Sequence, residues 1–163
     1  MVEEQGGWYV VNVAHAKWSE HPLFGRRCIL EHNTRFPQTG IGVAVLEPGK
    51  PACRYHRENA QEDFLVLSGE CTLLVNGEER QLRAWDFVHC PPGVTHVFVG
   101  AGTGPCAILM IGHRPQGHAL FYPESEAARR VGAEAPEPTP DPRVAYSDVP
   151  PRQEIPAPKW PLA

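Results

Sequence analysis

Between residues 40 and 112, turn signals cut the chain too often for any helix to form. Short apolar runs occupy residues 41–46, 64–67, 71–75, 87–90, 96–99 and 106–111. Pro48-Gly49, Asn76-Gly77, Pro92-Gly93 and the stretch 100–105 separate them. Runs of four to six apolar residues bounded by glycine and proline read as strands. Asn76-Gly77 between two of them predicts a two-residue hairpin, because both positions tolerate the positive φ that such a turn needs. Strands this frequent with no helical stretch between them predict an all-β sandwich or closed barrel.

Outside that region proline again decides. Half of the 18 prolines fall in residues 133–163, where they exclude a helix or a central strand and predict an extended tail. One short helix is expected just before it, over residues 123–131. Pro123 opens the first turn, Glu124 and Glu126 face the N-terminal dipole, Arg129 and Arg130 the C-terminal end, and Gly132 supplies a left-handed cap. Two further strands are expected at residues 8–11 and 27–30. The chain is therefore organised as one barrel domain over residues 1–132, with an N-terminal arm, and a proline-rich tail over 133–163. The runs 64–67 and 106–111 are apolar at every position, so both faces need cover. The N-terminal arm or a second subunit would supply it, and a homodimer is the expected arrangement.

The charge balance narrows the partners. A formal net charge of −4 and a pI near 6.0 argue against a general nucleic-acid binder, which needs surplus Lys and Arg. No apolar run approaches the roughly 20 residues of a membrane-spanning helix. The acidic, glycine-rich start does not resemble a secretory signal, which leaves a cytoplasmic protein as the expectation. Cys28, Cys53, Cys71, Cys90 and Cys106 are widely spaced and odd in number. They are expected to be reduced core side chains rather than a disulfide framework or zinc site.

The candidate chemistry lies in Tyr55-His56-Arg57-Glu58-Asn59-Ala60-Gln61-Glu62. His56, Glu58 and Glu62 share parity, but on one straight strand His56 and Glu62 would stand about 20 Å apart. A shared site requires the chain to turn at Asn59. His96, after the turn Pro91-Pro92-Gly93, would be the third contributor. Imidazole with carboxylate suits Fe, Mn, Ni or Zn as a divalent ion.

These stretches resemble the two motifs of the cupin superfamily. Gly49, His56, Glu58, Glu62 and Gly69 follow the first motif, with Glu58 where the second histidine of its His-x-His stands. An alternative alignment puts Tyr55 and Arg57 at the two histidine positions. Asp86, Pro91, Gly93 and His96 follow the second motif, with Trp85 in place of its glycine and Gly100 in place of its final asparagine. The 15 residues between Gly69 and Trp85 match the short spacer of small microbial cupins. The resemblance covers about residues 40–112. It implies a double-stranded β-helix, a jelly-roll barrel holding a metal, with His56, Glu62 and His96 as ligands and Glu58 as a fourth.

Two functions follow from that reading. One is a metal-dependent enzyme, such as a dioxygenase or isomerase, acting on a small polar organic molecule, with Glu58 or His89 moving a proton. The other is a non-catalytic module that binds or senses a small ligand. Surface positions are the expectation for His15, His21, His32, His113 and His118. Trp85 is expected to pack, and Trp160 to bury itself against the barrel or a partner subunit.

Overall fold

The predicted hairpin is present. In the computed structural model, which describes residues 2–31 and 35–159, Asn76 and Gly77 take φ of 47° and 83°. They join β8 (Glu70–Val75) to β9 (Glu78–Arg83). β9 was not anticipated from the sequence, because its residues Glu-Glu-Arg-Gln-Leu-Arg face solvent almost throughout. With β11 (His96–Ala101) these strands form a three-stranded sheet in the order β11-β8-β9.

The larger sheet has seven strands in the order β10-β7-β12-β5-β4-β3-β14. They are β3 (Trp18–His21), β4 (Gly25–Ile29), β5 (Thr39–Leu46), β7 (Glu62–Ser68), β10 (Phe87–Cys90), β12 (Cys106–His113) and β14 (Gln153–Ile155). Two small pairs complete the structure: β1 (Val2–Gln5) with β2 (Trp8–Val11), and β6 (Arg57–Glu58) with β13 (Leu120–Phe121). Every pairing is antiparallel. The architecture is the all-β double-stranded β-helix.

Period-2 alternation sorts the side chains into an inner core and two outer ones. The inner core, between the sheets, contains Leu46, Phe64, Val66, Leu73, Phe98 and Ile108. Outside the large sheet, Val43 and Val45 pack with Trp18, Cys28 and the half-buried Val13 and Ile155. The N-terminal segment thus covers part of the second apolar face, as one of the two expected covers. Outside the small sheet, Leu74, Val97 and Val99 pack against Tyr55, Ala128 and Ala133.

Ala128 belongs to helix α1 (Glu126–Arg130), which lies inside the predicted span. Ser125 caps its start by accepting from the Ala128 N–H, and Gly132 follows with φ of 72°. The tail holds a second short helix, α2 (Pro142–Ala145), which the proline reading excluded. Pro142 occupies its first turn, where the missing N–H costs nothing, and Asp141 caps it. Further on, β14 adds a three-residue edge strand against β3. The expectations for His32 and Trp160 lie outside the described residues.

Candidate metal centre

Two backbone hydrogen bonds set the first pair of side chains. His56 and His96 face each other as an antiparallel bridge, with His96 N–H donating to the His56 carbonyl at 2.8 Å and the reverse bond at 3.3 Å. Their rings lie 5.3 Å apart. Each ring places Nδ1 against a backbone carbonyl two residues back: Arg54 at 2.8 Å for His56, Val94 at 3.1 Å for His96. A carbonyl can only accept, so Nδ1 of each ring carries a proton and Nε2 is the atom that a metal would take once any proton on it is released.

Glu62 begins β7, opposite Cys90 on β10 and Gly112 on β12. The chain bends at Asn59 as the shared site requires. The Asn59 backbone N–H and side-chain Oδ1 bond to Ala119, and its Nδ2 donates to Gly117. Alternation then separates Glu62 from its neighbour: Asp63 turns to the other face and binds exposed His89 at 2.7 Å. His89 is therefore a hydrogen-bonded strand residue on the exterior.

His56, Glu62 and His96 each offer a ligand atom within 4.8 Å of the other two. Glu62 Oε2 stands 3.4 Å from His96 Nε2. Two donors at 2.0–2.2 Å from one ion are separated by roughly 3.0–3.4 Å, so the residues fit a divalent cation. Electrostatics points the same way. Burial, helped by Glu58 and opposed by His56, pushes the Glu62 carboxyl up to about 7. Burial and the neighbouring His56 push His96 down to about 4. Burial also disfavours a charged His56, but Cys53, Glu58 and Glu62 together outweigh it and raise its pKa. A buried cluster that retains a proton in this way would release it to a cation.

Glu58 stands beside this trio. Its Oε1 lies 3.4 Å from His56 Nε2, while Oε2 accepts from His118 Nε2 at 2.7 Å. His118 is exposed, as expected, yet gains this role through the loop that Asn59 holds.

A cavity of about 640 Å³ opens on His56. Its walls include Phe24, Cys53, Tyr122, Tyr146 and Arg152. Cys53 is half-buried with Sγ 3.7 Å from His56 Nδ1, so it is a cavity residue where a core position was expected. His21 departs from its expected surface position. It is 3 % exposed, accepting from Leu23 N–H at Nδ1 and donating to the Pro150 carbonyl from Nε2. Of the bulky residues that could fill the barrel, Phe98 does lie inside it, its ring 4.6 Å from that of Phe64 and 6.2 Å from that of His96, while Phe87 is exposed; neither lines the cavity.

The tail forms one side of this cavity through Val149, Pro150, Pro151 and Arg152. Arg54, 4 % exposed, fastens it there. Its guanidinium donates to the carbonyls of Ala145 and Glu134 and pairs with Asp148 at 2.6 Å. No motif signalled Arg54, Tyr122 or Arg152, since their partners are distant in sequence.

The cupin domain family, Cupin_2, matches residues 42–112, the segment that carries the bridge, the bend and the cluster. Residues 42–112 form a cupin domain. Solved structures agree on the fold. A candidate sugar phosphate isomerase from Acidithiobacillus ferrooxidans is 26% identical, with 63% of this chain and 71% of that one aligned at a TM-score of 0.53. A sugar phosphate isomerase of the cupin superfamily from Silicibacter pomeroyi is 20% identical over 72% and 83%, at 0.62. The polyketide cyclase RemF of Streptomyces resistomycificus is 16% identical over 64% and 78%, at 0.56. Among curated proteins none matches the chain. The cupin pattern also explains the chain's departures from it. Trp85 keeps the left-handed φ of 75° that the motif's glycine adopts freely. At Gly100 a Cβ would come within 2.2 Å of the Glu47 carbonyl oxygen, so no side chain fits.

Proposed function

We propose that the protein is a metal-dependent cupin enzyme acting on a small polar organic molecule in the barrel cavity. His56, Glu62 and His96 hold a divalent ion of the Fe, Mn, Ni or Zn group. The observation that carries this is the convergence of two carbonyl-oriented Nε2 atoms and a buried carboxylate oxygen beside an open cavity. A bound ion supplies a Lewis acid to a substrate oxygen. Glu58, with one oxygen held by His118, is the group placed to take and return a proton beside the cluster. A carboxylate in that role suits an isomerase more directly than a dioxygenase. The 26%-identical candidate sugar phosphate isomerase supports the same choice, since its named substrate class is small and polar.

The proposal includes a homodimer in the cytoplasm. Phe87, on β10 of the large sheet and 64% exposed, supports a partner subunit as the remaining cover. The cysteine spacing supports a reducing compartment.

Cobalt(II) titration tests the ligand set. The wild-type chain is expected to develop visible absorption bands that saturate at one equivalent. His96→Ala is expected to show none while keeping its cooperative thermal transition. A variant that takes up cobalt as the wild type does would overturn the assignment.

A further inference from the structure

The cavity beside the cluster has an unbalanced charge. Among the described residues its lining includes Arg26, Arg27, Arg152, His21 and His56, and no carboxylate. This is not a reflection of the chain as a whole, whose net charge is −4. Arg26 is already answered, by Glu47 and, at 3.9 Å, by Glu20. The other two are not. Among the described residues Arg152 gives its donors only to neutral backbone carbonyls, those of Gly25 at 3.0 Å and of Ser19 and Phe24 at 3.5 Å. Among the described residues the guanidinium of Arg27 has no hydrogen-bond or ion-pair partner. Strand register places Arg27 opposite Ala44, which belongs to the inner core, so its side chain leaves β4 on the inner face.

Arg27 and Arg152 repel each other: burial first, and Arg27 second, push the Arg152 guanidinium down to about 10. Arg152 is half-buried with no counter-charge, Arg27 stands exposed beside it, and the planar donor forks of both match the oxygens of carboxylate and phosphate. Between them and His56 the wall is aromatic, formed by Phe24, Tyr122 and Tyr146.

We infer that Arg27 and Arg152 form an oxyanion-binding subsite, and that the cavity takes a small organic anion whose carboxylate or phosphate head sits on these arginines. The body of that molecule lies against the aromatic wall, and its far end reaches His56, the member of the cluster that lines the cavity. The inference rests on the cavity being the ligand site, as proposed above, and names the class of ligand it accepts.

Calorimetric titration of the full chain tests it, with phenyl phosphate, benzoate and uncharged benzyl alcohol as probes, before and after treatment with EDTA. Both anions are expected to bind saturably and benzyl alcohol at least tenfold more weakly. The tighter of the two anions names the head group. Arg27→Gln, a change at an exposed side chain, is expected to weaken anion binding at least tenfold in both preparations with its melting temperature unchanged. Failure of both anions to bind, equal binding of the alcohol, or unchanged affinity in Arg27→Gln would overturn the subsite. Anion binding that EDTA abolishes and Arg27→Gln leaves unchanged would place the anion on the metal, refuting the subsite while leaving the metal ligands standing. An arginine-dependent anion site in a chain that takes up no metal would do the reverse.

Discussion

The two sides of the cavity are built in opposite ways. On the cluster side, His56, Glu62 and His96 come from strands and turns of a single cupin domain, and each imidazole is oriented by a carbonyl two residues away. On the tail side, Arg54 and Arg152 reach carbonyls 80 or more positions distant, and the wall stands only because the tail folds back. Local geometry makes the first side rigid through its own backbone. The second depends on long-range contacts, the polar anchors together with the packing of Ala135 and Ala145 on Tyr122 and the pairing of β14 with β3, so it should be weakened without dismantling the first.

The largest effect should come on the cluster side. Glu62→Ala removes the proposed carboxylate ligand, and metal affinity is expected to fall at least a hundredfold with no loss of folding, read by competition with a chelating dye. The next concerns the tail. Arg54→Met leaves the backbone carbonyl that orients His56 in place but strips the tail of its anchor. It is expected to cost about 3 kcal/mol in urea unfolding, to expose residues beyond 133 to protease, and to leave metal uptake intact. Loss of metal in that variant would break the contrast between the two sides.

A smaller effect should follow pH. Burial lowers the pKa of His21 from 6.5, so its neutral ring, bonded to Pro150, is favoured in the folded chain. The unfolded chain then binds the proton first as pH falls. The stability His21 contributes is full above pH 6.5 and is lost below it. Unfolding free energy should drop more steeply below that pH in the wild type than in His21→Gln, and identical profiles would remove His21 from the tail's anchorage. The smallest change is expected at Trp85. Replacing this exposed, left-handed residue with glycine should raise stability by less than about 1 kcal/mol, read as a slightly higher melting temperature.

What was legible in the sequence follows the same division. Strands with an apolar face and the Asn76-Gly77 hairpin are local signals; His56, Glu62 and His96 were named by the resemblance to the cupin motifs, with a turn at Asn59 as the condition for bringing them together. β9 carried no such signal because it buries almost nothing. Helix α2 was hidden by prolines that forbid a helix interior but not its first turn. The roles of His21, Cys53, Arg27 and Arg152 depend on what the fold places beside them. A histidine 129 positions from the carbonyl it binds cannot be told from a surface histidine by pattern alone.

Elemental analysis of the chain, expressed without a histidine tag and purified without chelator, tests the central claim most directly. One equivalent of a transition metal per chain is the expected result, with donor distances near 2 Å from two nitrogens and a carboxylate oxygen by X-ray absorption. A chain that stays metal-free after exposure to excess Fe(II), Mn(II), Ni(II) and Zn(II) in turn would contradict it.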